Sequence, residues 1–167
     1  MIPFGGRSEH RLPTVGCVLA LVASLGSAAA AGAASGTALP NPCALLTSLH
    51  PEATLAPGKS VAGRKLTNQG TGAFATSTCQ ETVGALPVYL SVGHNFGGFG
   101  GIKVTSITHP GGLGSGDELV VGTGFGSTGP VDFIVFHKGT TYADLSANGA
   151  KPTSLTTLAR QLYKLLH

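Results

Sequence analysis

The chain has 167 residues, ten Lys and Arg against seven Asp and Glu, a net charge of +3, 26 glycines and no tryptophan. That length accommodates a leader and one domain rather than two. The sparse, scattered charge excludes the basic stripe that nucleic-acid binding requires.

Residues 1–13 carry Arg7 and Arg11 and end on Pro13, and residues 15–25 are an uncharged apolar run. Residues 27–34 then offer small-x-small cleavage sites such as Ala28-Ala29-Ala30 and Ala31-Gly32-Ala33. These are the three parts of a secretory signal peptide, so residues 1–34 are expected to be removed on export. Two rival readings are weaker. Cys17 follows Val15-Gly16 as a lipid-modified cysteine would, but it stands near the start of the apolar run instead of after it. Residues 15–34 are long enough to span a bilayer, but their second half is Ala, Gly and Ser. Membrane contact is therefore expected only through this segment, and only if it stays uncleaved. Loss of Arg7, Arg11 and Glu9 with the leader leaves eight basic and six acidic residues. It also leaves two cysteines, Cys43 and Cys79. In an exported chain an isolated pair reads as a disulfide, the alternative being two buried free thiols.

Residues 35–40 form a short linker, and residues 41–167 a single domain. Asn41-Pro42-Cys43-Ala44-Leu45-Leu46 opens it as a helix. Asn41 suits the N-cap, where its side-chain oxygen accepts from a free amide of the first turn. Pro42 suits the first helical position, where its missing N–H costs nothing. Cys43, Leu45, Leu46 and Leu49 make an apolar stripe, and Pro51 stops the helix after about two turns. So short a helix needs tertiary support. A bond from Cys43 to Cys79 supplies it, at roughly 4 kcal/mol by chain entropy.

Residues 52–72 are polar and contain Pro57-Gly58; they read as a loop with at most a short strand over 65–68. Lys59, Arg64 and Lys65 read as a solvated face. From there the hydrophobic period becomes two. Strands are expected over 73–80, 87–92, 101–107, 119–122, 131–137 and 140–145, the last two joined by Lys138-Gly139 in a hairpin. In the second of these, Val88, Leu90 and Val92 take one face, with Tyr89 and Ser91 opposite. After Pro152, Thr153 or Ser154 caps a helix running to about 166. Its Leu155, Leu158, Ala159, Leu162, Leu165 and Leu166 recur at helical spacing, while Arg160, Lys164 and His167 sit toward its C-terminus, where cations suit the macrodipole. The expected fold class is α+β: an antiparallel β-sheet of about five to six strands covered by a C-terminal helix, with a short N-terminal helix disulfide-linked to the sheet.

The motifs that carry chemistry mostly fail. Gly93-His94-Asn95-Phe96-Gly97-Gly98-Phe99-Gly100-Gly101 lacks the Lys-Ser/Thr and helix of a phosphate-binding loop. It reads as a hairpin loop, with His94, Asn95, Phe96 and Phe99 as the candidate ligand contacts. Gly122-Thr123-Gly124-Phe125-Gly126-Ser127 leads into a strand and not a helix, so it is no dinucleotide turn. No Ser sits in a Gly-x-Ser-x-Gly elbow. His94, His109 and His137 are possible bases, with Asp117, Asp132 or Asp144 as orienters, but nearly any exported domain contains such pieces. The histidines show no metal-ligand spacing, and no metal or cofactor is expected. Asp117-Glu118 point to opposite faces if they lie on a strand.

Asn41-Pro42-Cys43-Ala44-Leu45-Leu46-Thr47, a lone Cys79, Gly112-Leu113-Gly114-Ser115-Gly116-Asp117-Glu118, the hairpin and the terminal helix together resemble a family of actinobacterial exported proteins and lipoproteins of unknown function. The layout is similar to mycobacterial envelope lipoprotein and kinase sensor domains. Over residues 40–167 the resemblance implies a Cys43–Cys79 pair, an antiparallel sheet with flanking helices, and residence at the envelope. The chain departs from the usual pattern in its extra Ser115-Gly116, and in Gln80-Glu81-Thr82 where an aromatic commonly follows the second cysteine. The family offers no catalytic residue to carry over. The expectation is a secreted or envelope-associated, non-enzymatic module that binds an envelope ligand or protein. The alternatives are a secreted hydrolase using a Ser/His site and a purely structural secreted protein.

Overall fold

A computed structural model describes residues 38–95, 102–114, 116–124 and 130–167, all within the unit Ser35–His167. The expected leader, residues 1–34, lies outside the described residues. Helices α1 (Pro42–Leu49) and α2 (Pro51–Leu55) lead into strands β1 (Val61–Gln69), β2 (Thr76–Val83), β3 (Leu86–Gly93), β4 (Ile102–Thr108), β5 (Glu118–Gly124), β6 (Pro130–Lys138) and β7 (Thr141–Ala147), and helix α3 (Pro152–Leu165) closes the chain. The strands form one antiparallel sheet in the order β1-β2-β3-β7-β6-β5-β4. Seven strands replace the five to six expected. The added strand is β1, longer than the short strand over 65–68 that the polar run over 52–72 offered. As an edge strand it is exposed from Ala62 to Gln69, so no buried face imposes an alternation on its sequence.

The N-terminal helix forms for the expected reasons. Asn41 Oδ1 accepts from the amides of Cys43 at 2.9 Å and Ala44 at 3.2 Å, and Pro42 stands at the first turn. Pro51 does end that helix, but it also begins α2, an element not expected from the sequence. Proline disfavours the right-handed helical conformation in the residue before it. His50 leaves the right-handed helix as the C-cap of α1, left-handed at φ 49° with its N–H donated to the Thr47 carbonyl, and serves as the joint between the two helices. Cys43 and Cys79 are bonded, tying α1 to β2 across a sequence separation of 36.

Even-numbered positions of β3 and β6 and odd-numbered positions of β2 and β7 face the helices. Val88, Leu90, Ile134, Phe136, Leu145 and Cys79 are fully buried there against Leu46, Leu155, Leu158 and Leu162. Burying one such side chain is worth about 1.5–3 kcal/mol, so this interface is the main stabilising layer. The terminal helix departs from expectation at both ends. Lys151 occupies its N-cap without a side-chain bond, since Pro152 already takes the first turn. Leu165 is exposed, while Leu166 turns back and is buried just past the helix. Lys138 closes that end: its Nζ donates to the carbonyl of Tyr163 at 3.1 Å and to that of Leu166, and lies 5.1 Å from the Tyr163 ring centre. The β6–β7 turn is Gly139-Thr140 instead of Lys138-Gly139, because Lys138 pairs with Thr141 and Gly139 alone supplies a positive φ, 58°.

No described helix is long and apolar enough to cross a membrane.

Candidate functional site

The sheet has a second face, and no described helix lies over it. Register fixes which side chains share it, because directly opposed residues of neighbouring strands point the same way. One row crosses the sheet as Glu118 on β5, Val135 on β6, Asp144 on β7, Ser91 on β3, Thr78 on β2 and Thr67 on β1. The next row runs Ile107, Val120, Phe133, Ser146, Tyr89, Gln80 and Lys65. On the other side of the first lie His137, Tyr142, Gly93 and Thr76.

The face is divided. Toward β5 and β6 it is apolar: Val120, Val131, Phe133 and Val135 are buried and pack together, with Ile102 and Tyr142 beside them. Toward β2 and β3 it is polar and half-exposed. The hydroxyls of Thr78 and Ser91 are 3.0 Å apart, and the Gln80 amide donates to the Tyr89 hydroxyl at 3.3 Å. Asp144 stands on the seam. Its Oδ1 is buried with no hydrogen-bond partner among the described residues. Burial pushes its carboxyl up to about 7, because desolvation disfavours the charged form. No Lys or Arg faces it from β3, β5, β6 or β7 to offset that cost.

Its neighbours are chemically distinctive. Ser91 and Val135 lie directly across on the flanking strands, and Tyr142 and Ser146 flank it along β7. Tyr89, Phe133 and His137 take the diagonal positions, within reach of aromatic side chains. The His137 and Tyr142 rings are 5.5 Å apart.

Ser91, Asp144 and His137 thus meet on one face, but in the wrong order for nucleophilic catalysis. A triad needs the imidazole between the hydroxyl and the carboxylate. Here β7 places Asp144 between Ser91 and His137, and the Ser91 hydroxyl meets that of Thr78 on the far side.

The other histidines lie elsewhere. His94 follows the end of β3, half-buried, and His109 meets the backbone carbonyl of Asp117 at 2.6 Å. Of the loop contacts expected from sequence, Asn95 is exposed and donates from Nδ2 to the Ala73 carbonyl at 2.6 Å. Phe96 and Phe99 lie outside the described residues. Asp117 is buried just before β5, and Asp132, raised from its usual range by desolvation, is buried near the start of β6. No group of three metal-ligating side chains gathers among the described residues.

One of the other buried carboxylates has a structural partner. Glu81 is fully buried on the helix side, where Arg64 Nε donates to its Oε2 at 2.8 Å and Arg64 Nη1 donates to the Thr47 hydroxyl at 2.6 Å. It joins β1, β2 and α1 beside the disulfide. Asp144 has no such account.

Sequence reasoning offers Asp144 only as a possible orienter, and gives Ser91, Thr78 and Tyr89 no role in a site. The period of two in β7, placing Tyr142, Asp144 and Ser146 on one side, is the signal that could have found it. No family model matches the chain, and comparison with curated proteins and with solved structures yields no match.

Proposed function

We propose that this chain is an exported envelope or extracellular domain that binds a ligand at the face of its sheet turned away from the helices without transforming it. The observation that carries the reading is Asp144: a buried carboxyl whose Oδ1 has no hydrogen-bond partner among the described residues, set at the boundary between an apolar patch and a row of hydroxyls. Such a group costs stability and contributes nothing to packing. Ligand sites combine apolar walls with a few convergent polar groups in this manner, and perturbed titrating groups concentrate in them. Export is supported by the tripartite leader, by the disulfide, which persists in oxidising compartments, and by the resemblance to actinobacterial exported proteins. A hydrolase reading lacks an imidazole next to Ser91, and a purely structural reading leaves Asp144 unexplained.

The test is native mass spectrometry of unreduced protein recovered from an exporting actinobacterial host. The expected result is a mature mass with an adduct that is lost in a Ser91→Val/Thr78→Val variant of unchanged thermal stability. A bare mass for the wild type, together with no thermal shift against envelope lipid and glycan fractions, would refute the reading.

A further inference from the structure

The two edges of the sheet are built differently. β1 is polar: Arg64, Lys65, Asn68 and Gln69 line it, and its pairing with β2 is broken by a register shift after Ala62. Charges and bulges of this kind keep an edge strand from pairing with another chain. β4 has the opposite composition. Ile102-Lys103-Val104-Thr105-Ser106-Ile107-Thr108 is β-branched at every position except Lys103 and Ser106, holds one charge, and pairs on one side alone, with β5. Residues 103–108 are exposed. Val104 and Ile107, 37% and 47% exposed, share the face turned away from the helices, opposite Gly122 and Val120 of β5.

β4 is complementary to itself. A two-fold axis normal to the sheet joins two such strands antiparallel and keeps each face on its own side. β4 has a bulge at Thr105, whose hydroxyl donates to the Val121 carbonyl at 2.9 Å and ties the bulge to β5. The bulge shifts the alternation, so that Val104 and Ile107 share one face and Lys103 and Thr108 the other. With the axis between Thr105 and Ser106, Val104 opposes Ile107 of the second copy and Lys103 opposes Thr108. No like charges meet, four apolar side chains face one another across the junction, and the irregularities of both strands coincide at the axis. A displacement of one residue would set Lys103 opposite Ile107 and Val104 opposite Ser106, mixing the two faces. Pairing of β4 with β1 of another copy is heterologous and does not close.

We infer that β4 is the interface of a symmetric dimer, in which a second copy of this chain continues the sheet through its own β4. This inference does not depend on the ligand-binding reading. Interfaces below about 1,200 Å² belong to weak or transient complexes. A single pair of seven-residue strands is of that class, so dimerisation is expected only at micromolar concentrations and above.

The experiment is sedimentation equilibrium of the chain recovered from the exporting host, disulfide intact, from about 1 to about 500 μM, a range chosen for so small an interface. The wild type should pass from monomer to dimer across that range. Val104→Lys and Ile107→Glu, both at exposed positions, should each weaken association at least about tenfold, because each change enters twice across the axis. An equimolar mixture of the two variants should dimerise again, since the register sets the introduced Lys opposite the introduced Glu. Leu66→Lys, at a 43% exposed position of β1, should associate as the wild type does. Amide exchange gives a measurement free of any substitution: protection over β4 should rise with protein concentration while that over β1 stays constant. A wild type monomeric throughout, association lost in Leu66→Lys or retained in Val104→Lys and Ile107→Glu, a mixture that stays monomeric, or exchange over β4 independent of concentration overturns the assignment. None of these outcomes alters the adduct test of ligand binding.

Discussion

Replacement of Asp144 by Asn tests the central observation without any ligand. The carboxyl is raised from 3.8 to about 7 by desolvation. Three powers of ten in proton affinity correspond to about 4 kcal/mol. Between about pH 4 and 7 the unfolded chain has released this proton and the folded chain still holds it. Stability therefore falls as pH rises through that window and levels off above about 7, where the folded chain carries a buried, uncompensated charge. Asn has nearly the same shape and cannot ionise. The variant should match the wild type near pH 4 and exceed it by up to about 4 kcal/mol at pH 8, subject to the usual discount for a structure that relaxes around a buried charge. Urea titrations at each pH unit from 4 to 8, with a common m-value, measure the difference directly. Other titrating groups, including Asp132, are common to both proteins and cancel if they are independent of Asp144. A difference that is constant across pH, or one favouring the wild type at pH 8, would refute the account of Asp144 as an uncompensated buried acid. On the proposed ligand-binding reading, the same variant should gain stability and lose the ligand, the trade expected of a functional group.

Replacing Cys43 and Cys79 together by Ala opens a loop spanning a separation of 36 residues, which should lower unfolding free energy by about 4 kcal/mol; urea denaturation of the wild type under reducing conditions should give a similar loss. Arg64→Ala strands the fully buried Glu81 and should cost about 3–5 kcal/mol, much of it recovered in Arg64→Met/Glu81→Gln, read from the same titrations. At Gly122 an added Cβ would stand 2.5 Å from Ile102 Cγ2 and 2.9 Å from the Lys103 carbonyl oxygen. Gly122→Ala should therefore push β4 away from β5, seen as lost amide-exchange protection over β4 while β6 and β7 stay protected.

The face turned away from the helices was partly legible. Alternation placed Tyr89 and Ser91 opposite Val88, Leu90 and Val92, and the structure keeps that division. Alternation alone does not say which strand lies beside which. The sheet order inserts β7 between β3 and β6, and only that order brings Asp144 between Ser91 and Val135. The same holds on the covered side. Cys79 and Val83 turn inward, so a period of two requires Glu81 to do so as well. Its partner Arg64 lies on β1 outside the short strand expected over 65–68, at a register shift between Ala62 and Lys65.

By itself the sequence determined what local chemistry determines. Asn41 and Pro42 start a helix because of the first-turn amides, the odd and even positions of each inner strand sort by burial, and the leucines of the last helix make a stripe that a sheet must cover. The pairing of Cys43 with Cys79, expected from an even pair of cysteines after a leader-like segment, is present in the structure. What only the tertiary structure decided is everything that depends on strand order and register: the full extent of β1, the Arg64–Glu81 pair, and the placement of Asp144 between Ser91 and Val135. Those juxtapositions join residues far apart in the chain, and a displacement of one position in register would send each to the opposite face.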